Sequence, residues 1–230
     1  MARTRFDDLF DEAAPLIERR EHQRDAPPDE GGRWPISVLL PLDGAATAAL
    51  DELTGQALAL AGPGHFGTGL AGCAHVTVRS LETYRHDVPD DDPALDRYRS
   101  ALDRATARSR PVALRLTGLT LTSLTVMACT EPVDDAAPAF AQALADELGP
   151  DSWREDGFRR DIWYATLVHF AADIAHPAEL VAWVRERRRL DLGTTVARCA
   201  QLARFRFRDD VLPARMEPQV LATAGLRKSG

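Results

Sequence analysis

The stretch Cys73-Ala74-His75-Val76-Thr77-Val78-Arg79 alternates polar or reactive side chains with small apolar ones. Successive side chains of a strand point to opposite faces, so this period of two reads as a strand with one face in a core. It places Cys73, His75, Thr77 and Arg79 on one face, with Ala74, Val76 and Val78 behind them. A distant stretch, Ile162-Trp163-Tyr164-Ala165-Thr166-Leu167-Val168, has the same form, and Ile162, Tyr164, Thr166 and Val168 share its face. A ring nitrogen and a hydroxyl two residues apart, facing a matching pair, make a symmetric grip for a tetrahedral oxyanion. The first pair is His75 and Thr77. The second is Tyr164 and Thr166, with tyrosine where the symmetry asks for histidine.

Outward from these strands, helices and strands alternate. Residues 4–20 place Phe6, Leu9, Phe10, Ala13, Leu16 and Ile17 at helical spacing, with Pro15 predicting a break or kink near the middle. Residues 25–35 are a loop rich in proline and glycine, so 1–33 reads as a helical arm with its linker, docked on a main domain spanning 34–230. In that domain Ile36–Leu42 is a buried strand, Thr47–Ala61 an apolar helix, and Gly62–Gly72 a loop leading to the His75 strand. Asp92-Pro93 fits a cap followed by proline at the first helical position, opening a helix to about Ser109. Two β segments follow, Pro111–Leu119 and Ser123–Thr130, then a helix over Ala137–Leu148 stopped by Gly149. After a polar loop comes the Tyr164 strand, a helix from His176-Pro177 to about Arg189, and a β-like segment over Thr194–Arg208. The tail after Pro213 has no decisive pattern. Strand–helix–strand order recurs on both sides of residue 120, one special strand in each half. The expected fold is α+β: a duplicated, two-lobed unit of two small antiparallel sheets around a central cleft, helices outside.

Composition narrows the function. A net charge of −7 argues against nucleic-acid binding by bulk electrostatics, leaving a local basic cleft or a short RNA. All but one of the 28 basic residues are arginine, Lys228 being the exception, a bias that reflects coding composition more than function. Cys73, Cys129 and Cys199 form neither a CxxC pair nor a zinc-ligand spacing, which fits free thiols in a reducing, cytoplasmic setting. The first residues hold no apolar core of signal-peptide length, and no apolar run is long enough to span a bilayer, so no membrane partner is expected.

With these motifs in place, the chain resembles the 2H phosphoesterase family, the two-histidine group that includes LigT-like RNA 2′,3′-cyclic phosphodiesterases. His75-Val76-Thr77-Val78 matches the first His-x-Thr/Ser-x motif, and Tyr164-Ala165-Thr166-Leu167 occupies the place of the second with Tyr for His. The resemblance covers the chain from about Ile36 to Arg208. It implies attack on phosphorus with no metal and no cofactor: one imidazole takes a proton, the other gives one, and two hydroxyls hold phosphate oxygens. Carried over by residue, His75 is the general acid or base, Thr77 and Thr166 bind phosphate oxygens, and Tyr164 donates a hydrogen bond or a proton. Arg79, one step further along the His75 face, either steers an anion or forms a structural salt bridge. The implied substrate is a small phosphorylated or nucleotide-like molecule.

Other residues compete for roles. His169 lies five residues beyond Tyr164, so alternation turns it to the opposite face unless a β-bulge intervenes. His65 sits in the glycine loop beside the His75 strand. Cys73 invites a Cys–His nucleophile, against the plainer reading of a buried thiol. The Gly62–Gly67 loop lacks the ending of a phosphate-binding P-loop, Asp87–Asp92 does not have calcium-loop spacing, and Arg185–Arg189 is a solvated helix end. Three functions stay open: a phosphodiesterase, a nucleotide or phosphate receptor without catalysis, and a biosynthetic isomerase or cyclase using the His75/Tyr164 pair. The residues do not indicate an oligomeric state.

Overall fold

The computed structural model describes residues 3–42, 44–155 and 161–227. Part of the polar loop expected before the Tyr164 strand, and Lys228, lie outside them. In chain order the elements are α1 (Arg5–Glu18), β1 (Ser37–Pro41), α2 (Gly44–Ala61), β2 (Phe66–Gly67), β3 (His75–Ser80), α3 (Pro93–Ala107), β4 (Val112–Leu121) and β5 (Thr125–Pro132). They continue with α4 (Ala136–Leu148), a 3₁₀ turn (Gly149–Glu155), β6 (Trp163–His169), α5 (Pro177–Glu186), β7 (Gly193–Ala197), β8 (Cys199–Arg208) and β9 (Arg215–Gly225).

The strands form one sheet in the order β3-β1-β8-β9-β2-β6-β5-β4-β7, antiparallel except where β2 meets β9. Two four-stranded halves are visible within it, β3-β1-β8-β9 and β6-β5-β4-β7, joined through the two residues of β2. The expected pair of small sheets is thus present as one continuous sheet. In each half a strand–helix–strand unit places the special strand against its partner: β1-α2-β3 and β5-α4-β6. The β-like segment 194–208 divides at Arg198 into two strands. β7 closes the edge of the second half, while β8 crosses into the middle of the first and pairs with β9. The C-terminal hairpin therefore completes the N-terminal half.

One large core of aliphatic and small side chains fills the space between sheet and helices, including Val38, Leu40, Val76, Leu102, Leu114, Phe140, Ala165 and Val181. On the opposite face of the first half a smaller cluster gathers Trp34, Leu39, Phe66, Ala203, Phe205 and Met216. Each large side chain fully buried contributes about 1.5–3 kcal/mol, so the first core dominates stability. The second, smaller cluster borders the site.

Helix α1 is docked. Phe10, Ala13, Ala14 and Ile17 belong to the main core, and the helix packs on β4 and α5. Pro15 does not break it: the proline lies inside the helix, which runs on to Glu18. A buried carboxylate fastens its start: Asp7 accepts from Arg189 at 2.7 Å, from Arg188, and from the Thr4 amide at 2.8 Å. Burial alone would raise the Asp7 carboxyl, but Arg189 and the Thr4 donors outweigh it and hold it well below the usual carboxylate range. At the other capped helix, the Asp92 side chain accepts from the Ala94 amide at 2.8 Å with Pro93 at the first position, as the sequence predicts.

Candidate functional site

Strands β3 and β6 face each other across the junction of the two halves, and a cavity of about 320 Å³ opens between them. His75 and Thr77 line one side of it, Tyr164 and Thr166 the other. All four residues placed in the symmetric grip therefore meet in one cavity. The volume is in the range that holds a small organic ligand.

The strands do not keep simple alternation, and the departure is the same in both. In the β1–β3 pairing Leu39 is opposite Thr77 and Val38 opposite Arg79, so Val78 is an extra residue. In the β5–β6 pairing Met127 is opposite Thr166 and Val126 opposite Val168, so Leu167 is extra. A β-bulge reverses the facing of every residue beyond it. The consequence is matched: Ser80 follows Thr77 into the cavity, and His169 follows Thr166. Arg79 turns away, is buried, and donates to the carbonyls of Ser152 at 3.2 Å and Glu155 at 3.0 Å. It is not brought to the cavity with the other four, and its guanidinium tethers the 3₁₀ turn. Val168, expected on the Tyr164 face, is turned into the core.

The orientation of His75 follows from its backbone. Its Nδ1 lies 2.7 Å from the Cys73 carbonyl, which can only accept, so Nδ1 carries the hydrogen and Nε2 is left with its lone pair. Burial lowers the tendency of this ring to take a proton, with His169 nearby acting in the same direction against the Cys73 bond. A neutral imidazole with an open Nε2 is the form in which histidine acts as a base. Phe205 flanks the ring at 5.4 Å between centroids.

His169 has its own set of partners. Its Nδ1 is 2.7 Å from Asp25 Oδ2 and its Nε2 is 3.2 Å from Thr68 Oγ1. Phe66 stacks on the ring at 4.9 Å with an interplanar angle of 7°. Asp25 comes from the linker after α1, so the N-terminal segment supplies a buried group to the cavity wall. Arg33, Trp34, Arg154 and Glu155 are also part of the lining.

The remaining candidates are structural in placement. His65 is buried, donates from Nε2 to the Ala61 carbonyl at 3.1 Å, and accepts the Ala171 amide at Nδ1, outside the cavity lining. Cys73 is buried, and burial pushes its thiol up to about 11, so it stays protonated and un-nucleophilic at neutral pH. Among the described residues no group of three or more His, Cys, Asp or Glu is placed to hold a metal ion. No helix among them is long and apolar enough to cross a membrane.

These buried rings make stability depend on pH. His65, His75 and His169 are all held below the usual histidine value, chiefly by burial. The unfolded chain therefore takes up protons first, from about pH 6.5 downward. Urea unfolding midpoints are expected to be level at neutral pH, to fall as pH drops through that value, and to fall further as carboxylates held low in the fold, Asp7 among them, take up protons in turn. A midpoint that rises on acidification over the same window is the contrary result.

No family model matches the chain, and no curated protein matches it in sequence. Solved structures do. TT0787 of Thermus thermophilus is 17% identical with a TM-score of 0.61, the match covering 85% of this chain and 99% of that one. LigT of E. coli, solved in complex with 3′-AMP, is 13% identical with a TM-score of 0.55, covering 85% of this chain and 98% of that one. A structure described as a phosphoesterase is 12% identical with a TM-score of 0.53, covering 85% and 99%.

Proposed function

With the fold that this chain shares with LigT and a phosphoesterase as premise, we propose that it cleaves a phosphodiester or cyclic phosphate of a nucleotide or small metabolite without a metal. The observation that carries this reading is the meeting of His75, Thr77, Tyr164 and Thr166 in one cavity on two matching bulged strands. In this reading His75 Nε2 takes a proton from the attacking water or hydroxyl. Thr77 and Thr166 donate to nonbridging phosphate oxygens and stabilise the charge that builds there. Tyr164 supplies a further donor. A phenol has no basic ring nitrogen to accept a proton, so the site is asymmetric in what each side can do. Complexes of LigT with 3′-AMP, ATP, NADP+ and phosphate favour a nucleotide-like substrate for a cavity of this architecture. The net charge of −7 favours a small substrate over long RNA. A cytoplasmic setting is part of the proposal.

Tyrosine at position 164 favours a second reading, a receptor that binds the phosphate and does not turn it over. Turnover of 2′,3′-cyclic nucleotides in the presence of a chelator separates the two. The first reading expects product from the native protein and a gain of about 10-fold or more in Tyr164→His, where a second imidazole enters the grip. Calorimetric binding with no product from either protein supports the receptor instead.

A further inference from the structure

The wall of the cavity contains an acid–base row that the four grip residues do not use. Asp25, His169 and Thr68 are joined in sequence, Asp25 Oδ2 to Nδ1 at 2.7 Å and Nε2 to Thr68 Oγ1 at 3.2 Å. Thr68 Oγ1 also lies 2.8 Å from the Thr166 carbonyl, on the strand that carries the second half of the grip. His169 and Asp25 are almost wholly enclosed, with side chains 3% and 5% exposed. Phe66 and Trp34 close on the ring, centroids 4.9 and 4.8 Å away. Both His169 and Thr68 line the cavity.

A count of hydrogens shows what the row can do. An ionised Asp25 only accepts, so Nδ1 keeps a hydrogen in every state. The single Thr68 hydroxyl hydrogen has two acceptors in reach. Directed at Nε2, it leaves the ring neutral. Directed at the Thr166 carbonyl, it frees Oγ1 to accept from Nε2–H, and the ring is a cation. A proton can thus enter or leave the ring with a turn of one hydroxyl and no movement of the backbone. The groups facing the ring are Asp25 and Arg33 from the segment before β1, His75 across the cavity, Tyr164 on its own strand, and Arg154 and Glu155 from the 3₁₀ turn. Burial and Arg33 oppose the cation and Asp25 favours it.

We propose that Asp25, His169 and Thr68 form a proton relay that supplies, through the Thr68 hydroxyl, the acid–base function that tyrosine leaves open at position 164. The inference rests on the phosphoester-cleaving reading of the cavity. In the step, a water oxygen bonds to phosphorus as His75 Nε2 takes its proton. The bond from phosphorus to the leaving oxygen breaks and its electron pair stays on that oxygen. The Thr68 hydroxyl turns from the Thr166 carbonyl to the leaving oxygen and gives it its proton, and Thr68 Oγ1 takes the Nε2 proton of the His169 cation. His75 ends charged and His169 neutral, and exchange with solvent restores both. His169 is here a positioning and proton-supplying residue that acts through Thr68.

The test is the pH profile of kcat/KM for a 2′,3′-cyclic nucleotide in the native protein, H169Q, T68V and D25N. The native profile is expected to have two limbs, the acid one from His75 and the alkaline one from His169. H169Q and T68V lose the alkaline limb and fall by about 100-fold. D25N keeps the limb and moves it to lower pH, because the cation loses its carboxylate. T68V leaves the ring in its aromatic cage, so it decides the matter where H169Q fails to fold. Variants that lose activity evenly at all pH values, with both limbs kept, overturn the relay. Absence of turnover in the native protein, or turnover untouched by H75A, overturns the reading of the cavity instead. The relay is then decided by ¹⁵N NMR of the histidine rings. Nε2 of His169 is expected to gain a hydrogen only as the pH falls below the usual histidine value, while Nδ1 keeps its own, with the midpoint shifted in T68V. A ring in one form at every pH at which the protein stays folded sinks the proposal.

Discussion

Replacing His75 by alanine is expected to lower kcat/KM for a 2′,3′-cyclic nucleotide by about 10²–10⁴-fold, the usual contribution of one positioned acid–base group. The expectation comes from geometry. The Cys73 carbonyl fixes Nδ1 as the protonated nitrogen at 2.7 Å, and the ring lines the cavity with Nε2 as its remaining lone pair. Burial keeps that ring neutral near pH 7, so Nε2 is ready to accept a proton. Thr77 and Thr166 are untouched by the substitution, so binding of the phosphate is expected to weaken far less than turnover. The measurement is steady-state kinetics beside calorimetric affinity for inorganic phosphate. A variant that retains native kcat/KM removes His75 from the chemistry.

The second large effect is at Gly69, where one added methyl is expected to cost about 3 kcal/mol, at the upper end for overpacking a tight site. The amides of Thr68 and Gly69 both donate to the Leu167 carbonyl, at 2.9 and 3.2 Å. Leu167 is the extra residue of the β6 bulge, so these two amides satisfy a carbonyl at the point where the ladder is irregular. A Cβ on Gly69 would stand 2.6 Å from Leu167 Cδ2 and 3.1 Å from Leu167 Cα, and would collide with Thr54 Oγ1. Relief requires the loop to lift from the bulge, which moves Thr68 away from Thr166 and His169. Gly69→Ala is therefore expected to lower the melting temperature by roughly 6–12 °C for a chain of this size and to reduce turnover with it. Gly55 provides the contrast, since it lies on an exposed part of α2 with nothing within 4 Å of an added Cβ. Gly55→Ala is expected to raise stability by about 0.5–1 kcal/mol through helix propensity alone. Calorimetric melting of the two variants side by side decides between them, and equal shifts would contradict the account of Gly69.

What the residues disclose on their own follows the range of each signal. His75, Thr77, Tyr164 and Thr166 were legible because each pair lies within an undisturbed length of strand, where the period of two is strict. Arg79 and Val168 lie beyond the bulges, and a single extra residue reversed them. A bulge leaves little local trace in sequence: Val78 and Leu167 are ordinary strand residues. The same reversal carries His169 into the cavity, the one route by which the sequence allowed it there. Comparing the two strands position by position would have raised the prospect, since Ser80 and His169 hold equivalent places after Thr77 and Thr166. Asp25 had no such signal, because it reaches His169 from a loop 144 residues away in sequence. Strand β9 was obscured by Pro218 and by partly exposed small residues, which weaken alternation. The division at Arg198 is set by tertiary structure: the chain passes from the edge of one half to the middle of the other with one residue between strands.

The central claim is that the two strands converge on one phosphate. A crystal structure with a bound 3′-nucleoside monophosphate tests it most directly. The account predicts phosphate oxygens within about 3 Å of Thr77 Oγ1, Thr166 Oγ1 and His75 Nε2, the distances of direct hydrogen bonds. A phosphate bound elsewhere on the protein, or held in the cavity by none of these three atoms, would contradict it.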